Sequence, residues 1–213
     1  MELLNVNISD YSNRFKKLLD DKDKIQSFVD GNQVVGVDFN QWTKIRSFIS
    51  KSINKDGKFL DIGCANGFLL RCLQEWCDYK IEPYGIDKNR DSIKQAKELF
   101  PLQRKNFIVK DLFELAKSGL EDLSKHGLPA RYDFIYWNVW DTIKFADQKE
   151  VDLVKKFLEA VSPDGRLVLG FYNNDNKQNM EDMKKIKKLE EKGFNFSGVL
   201  DNGLNDIIAW IDK

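Results

Sequence analysis

Histidine is nearly missing from this chain: His126 stands alone among 213 residues. Imidazole-based metal sites and serine–histidine triads lack their usual parts, and no metal site is expected. Cysteine is sparse as well. Cys64, Cys72 and Cys77 are odd in number and form no C-x-x-C, so they read as free thiols of a reducing compartment. Neither sign of charge is in excess, since 34 Lys and Arg balance 34 Asp and Glu. No global field therefore draws the chain toward nucleic acid or an anionic membrane. No window approaches the ~18 consecutive apolar residues that a membrane-spanning helix needs. The opening stretch MELLNVNISDYSNRF has neither the basic nor the apolar region of a secretory signal, so the expected location is cytoplasmic. Internal repeats and low-complexity linkers are absent too.

What is present is an alternation of short β-type and helix-type runs from residue 57 onward, the pattern of a doubly wound sheet. Lys58–Ile62, Tyr84–Ile86, Phe107–Val109, Tyr132–Trp137 and Arg166–Phe171 read as five strands. Phe68–Trp76, Ser92–Phe100, a stretch near Leu112–Leu123 and the stripe Val151, Val154, Phe157, Leu158 and Val161 read as the helices between them. Ser162–Gly165 is expected to be a turn, because proline and glycine preset the backbone there. A lysine-rich helix over Met180–Glu191 follows, then two β runs, Phe194–Leu200 and Asp206–Ile211, with Asp201-Asn202-Gly203 as the reversal between them. The first 56 residues read as helices: one capped by Ser9, one ending at Gly31 and one capped by Asn40 and carrying Trp42. The expected organisation is one domain, 1–213, with 1–56 as a helical extension or lid on an α/β core, 57–213.

The chemistry lies where strands end. In Leu60-Asp61-Ile62-Gly63-Cys64-Ala65-Asn66-Gly67, a strand turns on small residues and enters a helix. Gly63 lets backbone approach a ligand, Gly67 allows close helix–strand packing, and the first N–H groups of the helix suit an anion. A sharp turn with no ligand is the plain alternative. Asp87 closes Tyr84-Gly85-Ile86-Asp87, where a carboxylate accepts from both hydroxyls of a ribose or, alternatively, caps the next helix. Asp111 ends a third strand, suited either to an adenine amino group, with the Leu112 N–H at a ring nitrogen, or again to capping.

Taken in order, these segments resemble the motifs of the class I S-adenosylmethionine-dependent methyltransferases. LDIGCANG is similar to the first motif, YGID to the ribose-binding acidic motif and FIVKDLFEL to the adenine-binding one, while YDFIYWNVW and SPDGRLVLGFY resemble the segments of strands four and five. The resemblance covers roughly 57–211. It implies a Rossmann-like, seven-stranded sheet, mostly parallel with a C-terminal antiparallel hairpin, and helices on both faces. It also implies S-adenosylmethionine as cofactor. Asp61, Gly63, Cys64 and Ala65 would then line its methionyl part, Asp87 and Lys88 its ribose, Asp111 and Leu112 its adenine, and Asn138 would lie close to the sulfonium. Ala65 departs from the family's usual glycine, and its Cβ restricts left-handed φ, so a rearranged loop is expected there. A nicotinamide dinucleotide is the rival ligand. The G-x-G-x-x-G triplet is missing, and Asp61 would oppose a pyrophosphate while tolerating a cation.

A sulfonium methyl is already activated, so the lack of a nucleophile or metal is no objection. His126 precedes strand four, at the sheet edge away from ligands, and reads as a surface loop residue. Asp141, after strand four, is the expected base or acceptor-orienting group, beside Asn138; helix capping is its alternative. Trp42, Trp137, Trp140, Phe145 and Tyr172 are candidate acceptor walls, with Asn173 and Asn174 the polar groups facing the substrate. Lys184, Lys185, Lys187, Lys188 and Lys192 read as a solvated helix face. The expected activity is methyl transfer to a small molecule. RNA or protein acceptors are the alternative, as is a binding protein for S-adenosylmethionine or NAD that transfers nothing.

Overall fold

The computed structural model describes residues 11–32, 36–172, 176–204 and 206–213. Three short helices open the chain, α1 (Asn13–Leu19), α2 (Lys22–Asp30) and α3 (Phe39–Arg46), and a 3₁₀ turn, Ser47–Ser52, leads into the core. Ser12, Asp21 and Asp38 cap these helices through their side-chain oxygens. The expected cap Asn40 is corrected to Asp38, whose capping box with Gln41 satisfies two terminal N–H groups at once. Ser9 lies outside the described residues.

The core alternates β1 (Gly57–Ile62), α4 (Phe68–Trp76), β2 (Ile81–Asp87), α5 (Arg90–Leu99), β3 (Phe107–Val109), α6 (Leu112–Ser118), β4 (Tyr132–Asn138), α7 (Gln148–Ala160), β5 (Val161–Phe171), α8 (Asn176–Glu191), β6 (Gly198–Asp201) and β7 (Ile207–Asp212). The seven strands run in the order β3-β2-β1-β4-β5-β7-β6. All neighbours are parallel except β7, which is antiparallel to both β5 and β6. The order reverses between β1 and β4, and such a switch point opens a crevice at the carboxyl ends of the strands.

Two apolar layers fill the space above and below the sheet. Along β4, Ile135 and Trp137 face the layer built with α6, α7 and α8, while Phe134 and Tyr136 face the layer of α1–α5. The same alternation in β1 sends Leu60 and Ile62 to the first layer. Phe59 goes to the second, and the strand's period of two places Asp61 on that side as well. The helical extension therefore lies on the face that carries Asp61.

Several expected boundaries move; the β run expected over Phe194–Leu200 is corrected to Gly198–Asp201, and β2 and α8 start earlier than expected. Gly119, at φ 78°, divides the stretch Leu112–Leu123 into α6 and a 3₁₀ segment, Leu120–His126. Ser162–Gly165 does not precede the fifth strand but lies inside β5, as an irregularity where pairing jumps from Tyr132↔Val161 to Phe134↔Arg166. The proline and glycine bend an edge of the strand that β4 leaves unpaired. The expected solvated lysine face is corrected at one position: Lys185 is 3% exposed and pairs with Asp182 at 2.8 Å. No helix among the described residues is long and apolar enough to cross a membrane.

Candidate active site

The glycine turn after β1 is pinned to the end of β2, since the N–H groups of Gly63 and Cys64 both donate to the Ile86 carbonyl, at 2.8 and 3.0 Å. Gly63 takes φ 81° and Gly67 φ 74°. Ala65 takes φ 47° as well, so its Cβ does not force the rearrangement expected from the sequence. A left-handed alanine costs ~1–2 kcal/mol. Asp87 offsets part of this, because its Oδ2 accepts from the Ala65 N–H at 2.9 Å. Its Oδ1 accepts from Asn89 N–H at 2.7 Å, and Asn89, not Asp87, caps α5.

Asn66 is wholly buried and carries a role the sequence does not reveal. Its Nδ2 donates to the Phe28 carbonyl at 3.0 Å, while its Oδ1 accepts from Asn32 Nδ2 at 2.6 Å and from Phe68 N–H at 3.2 Å. The end of α2 is thus tied to the glycine turn. One of the helix N–H groups expected to face a ligand is filled by the protein instead.

A cavity of roughly 420 Å³ opens at the carboxyl ends of β1, β2 and β4. Of the expected cofactor residues, Asp61, Gly63, Ala65, Asp87, Lys88, Leu112 and Asn138 line it. Cys64, Gly67 and Asp111 do not. The Cys64 thiol is buried, Gly67 packs against Ala96 and Phe100, and Asp111 caps α6 by accepting from Phe113 N–H at 2.7 Å. Of the expected acceptor walls, Trp42, Trp137, Trp140 and Tyr172 line the cavity, whereas Phe145 is buried in the core. Trp140 lies nearer the β2 side than expected, with Lys88 Nζ 5.5 Å from its ring centroid and Phe113 6.2 Å away. Asp141 is exposed and is not part of the lining, and α7 is capped by Asp147. Asn173 and Asn174 lie outside the described residues. His126 is exposed at the end of its 3₁₀ segment, before β4.

Arg46, Gly31 and Asn32 also line this cavity with no motif to announce them, as does Tyr136, which lies within YDFIYWNVW but is not singled out there. Arg46 is 6% exposed and forms an ion pair with Asp206 in the turn between β6 and β7. Its guanidinium lies 3.3 Å over the Tyr172 ring, and the Tyr172 hydroxyl meets that of Tyr136. Only the helical spacing from Trp42 to Arg46, one turn along α3, puts the two on one face.

The electrostatics single out Asp61. It is 3% exposed, and among the described residues no donor reaches its carboxylate. Burial, reinforced by the Asp87 charge, pushes its pKa up to about 8. A buried acid with neither hydrogen-bond partner nor counter-ion is costly. It fits a cationic group arriving from the cavity. The described residues thus suit the implied cofactor: Asp61 for an ammonium, the spare lone pairs of Asp87 for ribose hydroxyls, and Ile86, Leu112 and Trp140 for a flat base.

Comparison with known proteins agrees. A family model described as a methyltransferase domain matches residues 37–196. A SAM-dependent methyltransferase from Aquifex aeolicus superposes with a TM-score of 0.58 at 16% identity, over 90% of this chain and 98% of its own. A TehB-like SAM-dependent methyltransferase from Corynebacterium glutamicum gives 0.55 at 18%, over 90% and 97%. TrmN from Thermus thermophilus gives 0.59 at 14%, over 89% of this chain and 53% of TrmN. At such identities these likenesses speak for the fold, and no curated protein matches the sequence. The family match spans more than half of the residues and the sheet agrees with it, so the chain belongs to the methyltransferase-domain family.

Proposed function

We propose that this methyltransferase acts on a small-molecule acceptor, held at the end of the cavity between Asn138 and Tyr172. The observation that supports this is a cavity of roughly 420 Å³ that Arg46 and Tyr172 line together with Asn138. The extension is fastened to the terminal hairpin beside this cavity by Arg46–Asp206 and by Asn202 Nδ2 donating to the Ile45 carbonyl at 3.0 Å. Concave pockets of a few hundred Å³ that combine apolar walls with convergent polar groups are typical of small ligands.

The bound cofactor supplies a methyl group already activated on a positively charged sulfur. The protein's share of the work is to hold, orient and desolvate. In this reading Asp61 holds the ammonium of the amino-acid arm and Asp87 the ribose hydroxyls. Leu112 and Ile86 present an apolar bed for the base, with Asp111 fixing the start of α6. Trp42, Trp137 and Trp140 exclude water from the walls. Asn138, half-buried at the tip of β4, offers an amide to orient the acceptor. Positioning of this kind can account for ~7–11 kcal/mol of barrier lowering. No acid–base residue is required of the chain unless the acceptor must lose a proton.

The test is methyl transfer from radiolabelled S-adenosylmethionine into a cell extract, followed by separation of small molecules, RNA and protein. Label is expected in the small-molecule fraction and absent with Asp61→Ala. Label confined to RNA or protein would overturn the acceptor class.

A further inference from the structure

Arg46 is more than a fastener. Its Nη1 is engaged by Asp206, and Asp206 is itself set by Asn202, whose Oδ1 accepts from Asp206 N–H at 3.0 Å. The Tyr172 ring supports the guanidinium from one side. Among the described residues, no acceptor meets Nε or Nη2, although the side chain is nine-tenths buried and lines the cavity. A guanidinium carries five donors and does not lose its charge in a protein, so an edge that opens only onto the cavity, with no protein acceptor on it, is free to take one from a ligand. Nε and Nη2 form one flat edge, the geometry that takes both oxygens of a carboxylate. Asp61 lines the same cavity, and Tyr136 and Tyr172 stand in the fields of both groups. The pair offers one positive and one negative receptor within a single chamber.

We propose that Arg46 is the carboxylate receptor of the cavity, binding through its Nε–Nη2 edge. The inference rests on the reading of the cavity given above and adds to it a chemical class of ligand. A planar carboxylate with one charge fits an edge whose surroundings already hold Asp61 and Asp206. A doubly charged phosphate would meet more repulsion there. Two carboxylates have access to the edge: that of the cofactor's amino-acid arm, whose ammonium matches Asp61, and an acid group on the acceptor.

Equilibrium binding separates these sources. In the first arm, S-adenosylmethionine and its decarboxylated analogue are titrated into the wild-type chain, Arg46→Met and Arg46→Lys. If the cofactor supplies the carboxylate, the wild type prefers the intact compound by about 10–100-fold, the worth of a charge-assisted bidentate pair. Arg46→Met loses this preference while binding the decarboxylated analogue as the wild type does, and Arg46→Lys retains part of it. In the second arm, benzoate and benzamide are titrated with S-adenosylhomocysteine saturating. An Arg46-dependent preference for benzoate assigns the edge to an acidic acceptor. Either preference supports the proposal. It is overturned if neither preference exists, or if Arg46→Met weakens charged and neutral ligands alike, as a purely structural arginine would. Should Arg46→Met fail to fold, Arg46→Lys decides: an unchanged preference overturns the proposal. Failure of the wild type to bind S-adenosylmethionine at all would instead remove the reading on which it rests.

Discussion

At the scale of single residues, Asp61 makes the sharpest demand on its surroundings. Burial first, and the Asp87 charge second, raise its pKa from 3.8 to about 8. The folded protein without ligand therefore binds a proton that the unfolded chain has lost between those values. This contribution to stability is fully present below pH 3.8 and is gone once the pH passes about 8. Within that window, stability is expected to fall by up to about 1.4 kcal/mol per pH unit. Thermal melts of the ligand-free protein at pH 5 to 8 should show the decline, and Asp61→Asn should flatten it. Ligand binding runs the other way. An ammonium favours the ionised carboxylate, so affinity for S-adenosylhomocysteine should rise as pH climbs toward 8. An affinity profile that is flat over this range in the wild type would contradict the account. Asp61 and Asp87 were legible in the sequence because they end strands beside a glycine turn. That Asp87 braces Ala65 was not, since such a bond depends on how two loops meet.

Elements are held in place by side chains that periodicity does not reveal. Hydrophobic spacing located α5 and α7, and strand tips located the cavity, because burial acts through a repeat that can be counted along the chain. Caps and joints have no such repeat. Asp38 rather than Asn40 begins α3, and Ser162–Gly165 sits within β5, because the partner strand and the neighbouring residues decide those details. Asn66 is the main case. It joins α2, the glycine turn and the start of α4 through three hydrogen bonds. Asn66→Ala should cost about 2–3 kcal/mol, summing bonds of about 1 kcal/mol each. A Cβ on Gly31 would stand 2.5 Å from Asn66 Nδ2. Gly31→Ala should therefore destabilise the wild type but much less an Asn66→Ala background. A double-mutant cycle read by chemical denaturation checks this, and simple additivity would refute the joint.

Over the whole molecule, the sheet brings distant parts of the chain to one wall. The extension meets the terminal hairpin through Arg46–Asp206 and Ile45–Asn202, and Arg166 links Ser52 to Asp212 with bonds of 2.7 and 2.6 Å. Removing one member of a buried ion pair leaves the other charge uncompensated, at about 3–5 kcal/mol. Asp206→Ala should lower the melting temperature and open residues 11–52 to limited proteolysis while leaving β1 to β4 protected. Equal protection of the extension in mutant and wild type would show that the pair does not hold it.

That long-range closure has a consequence for synthesis. A ribosome delivers the glycine turn early, but the ion pair beside Tyr172 needs a carboxylate encoded 160 positions after its arginine. A nascent or prematurely terminated product would carry the nucleoside half of the chamber without its far side. The grip on the nucleoside and the wall beside the acceptor would thus arise at different points of synthesis.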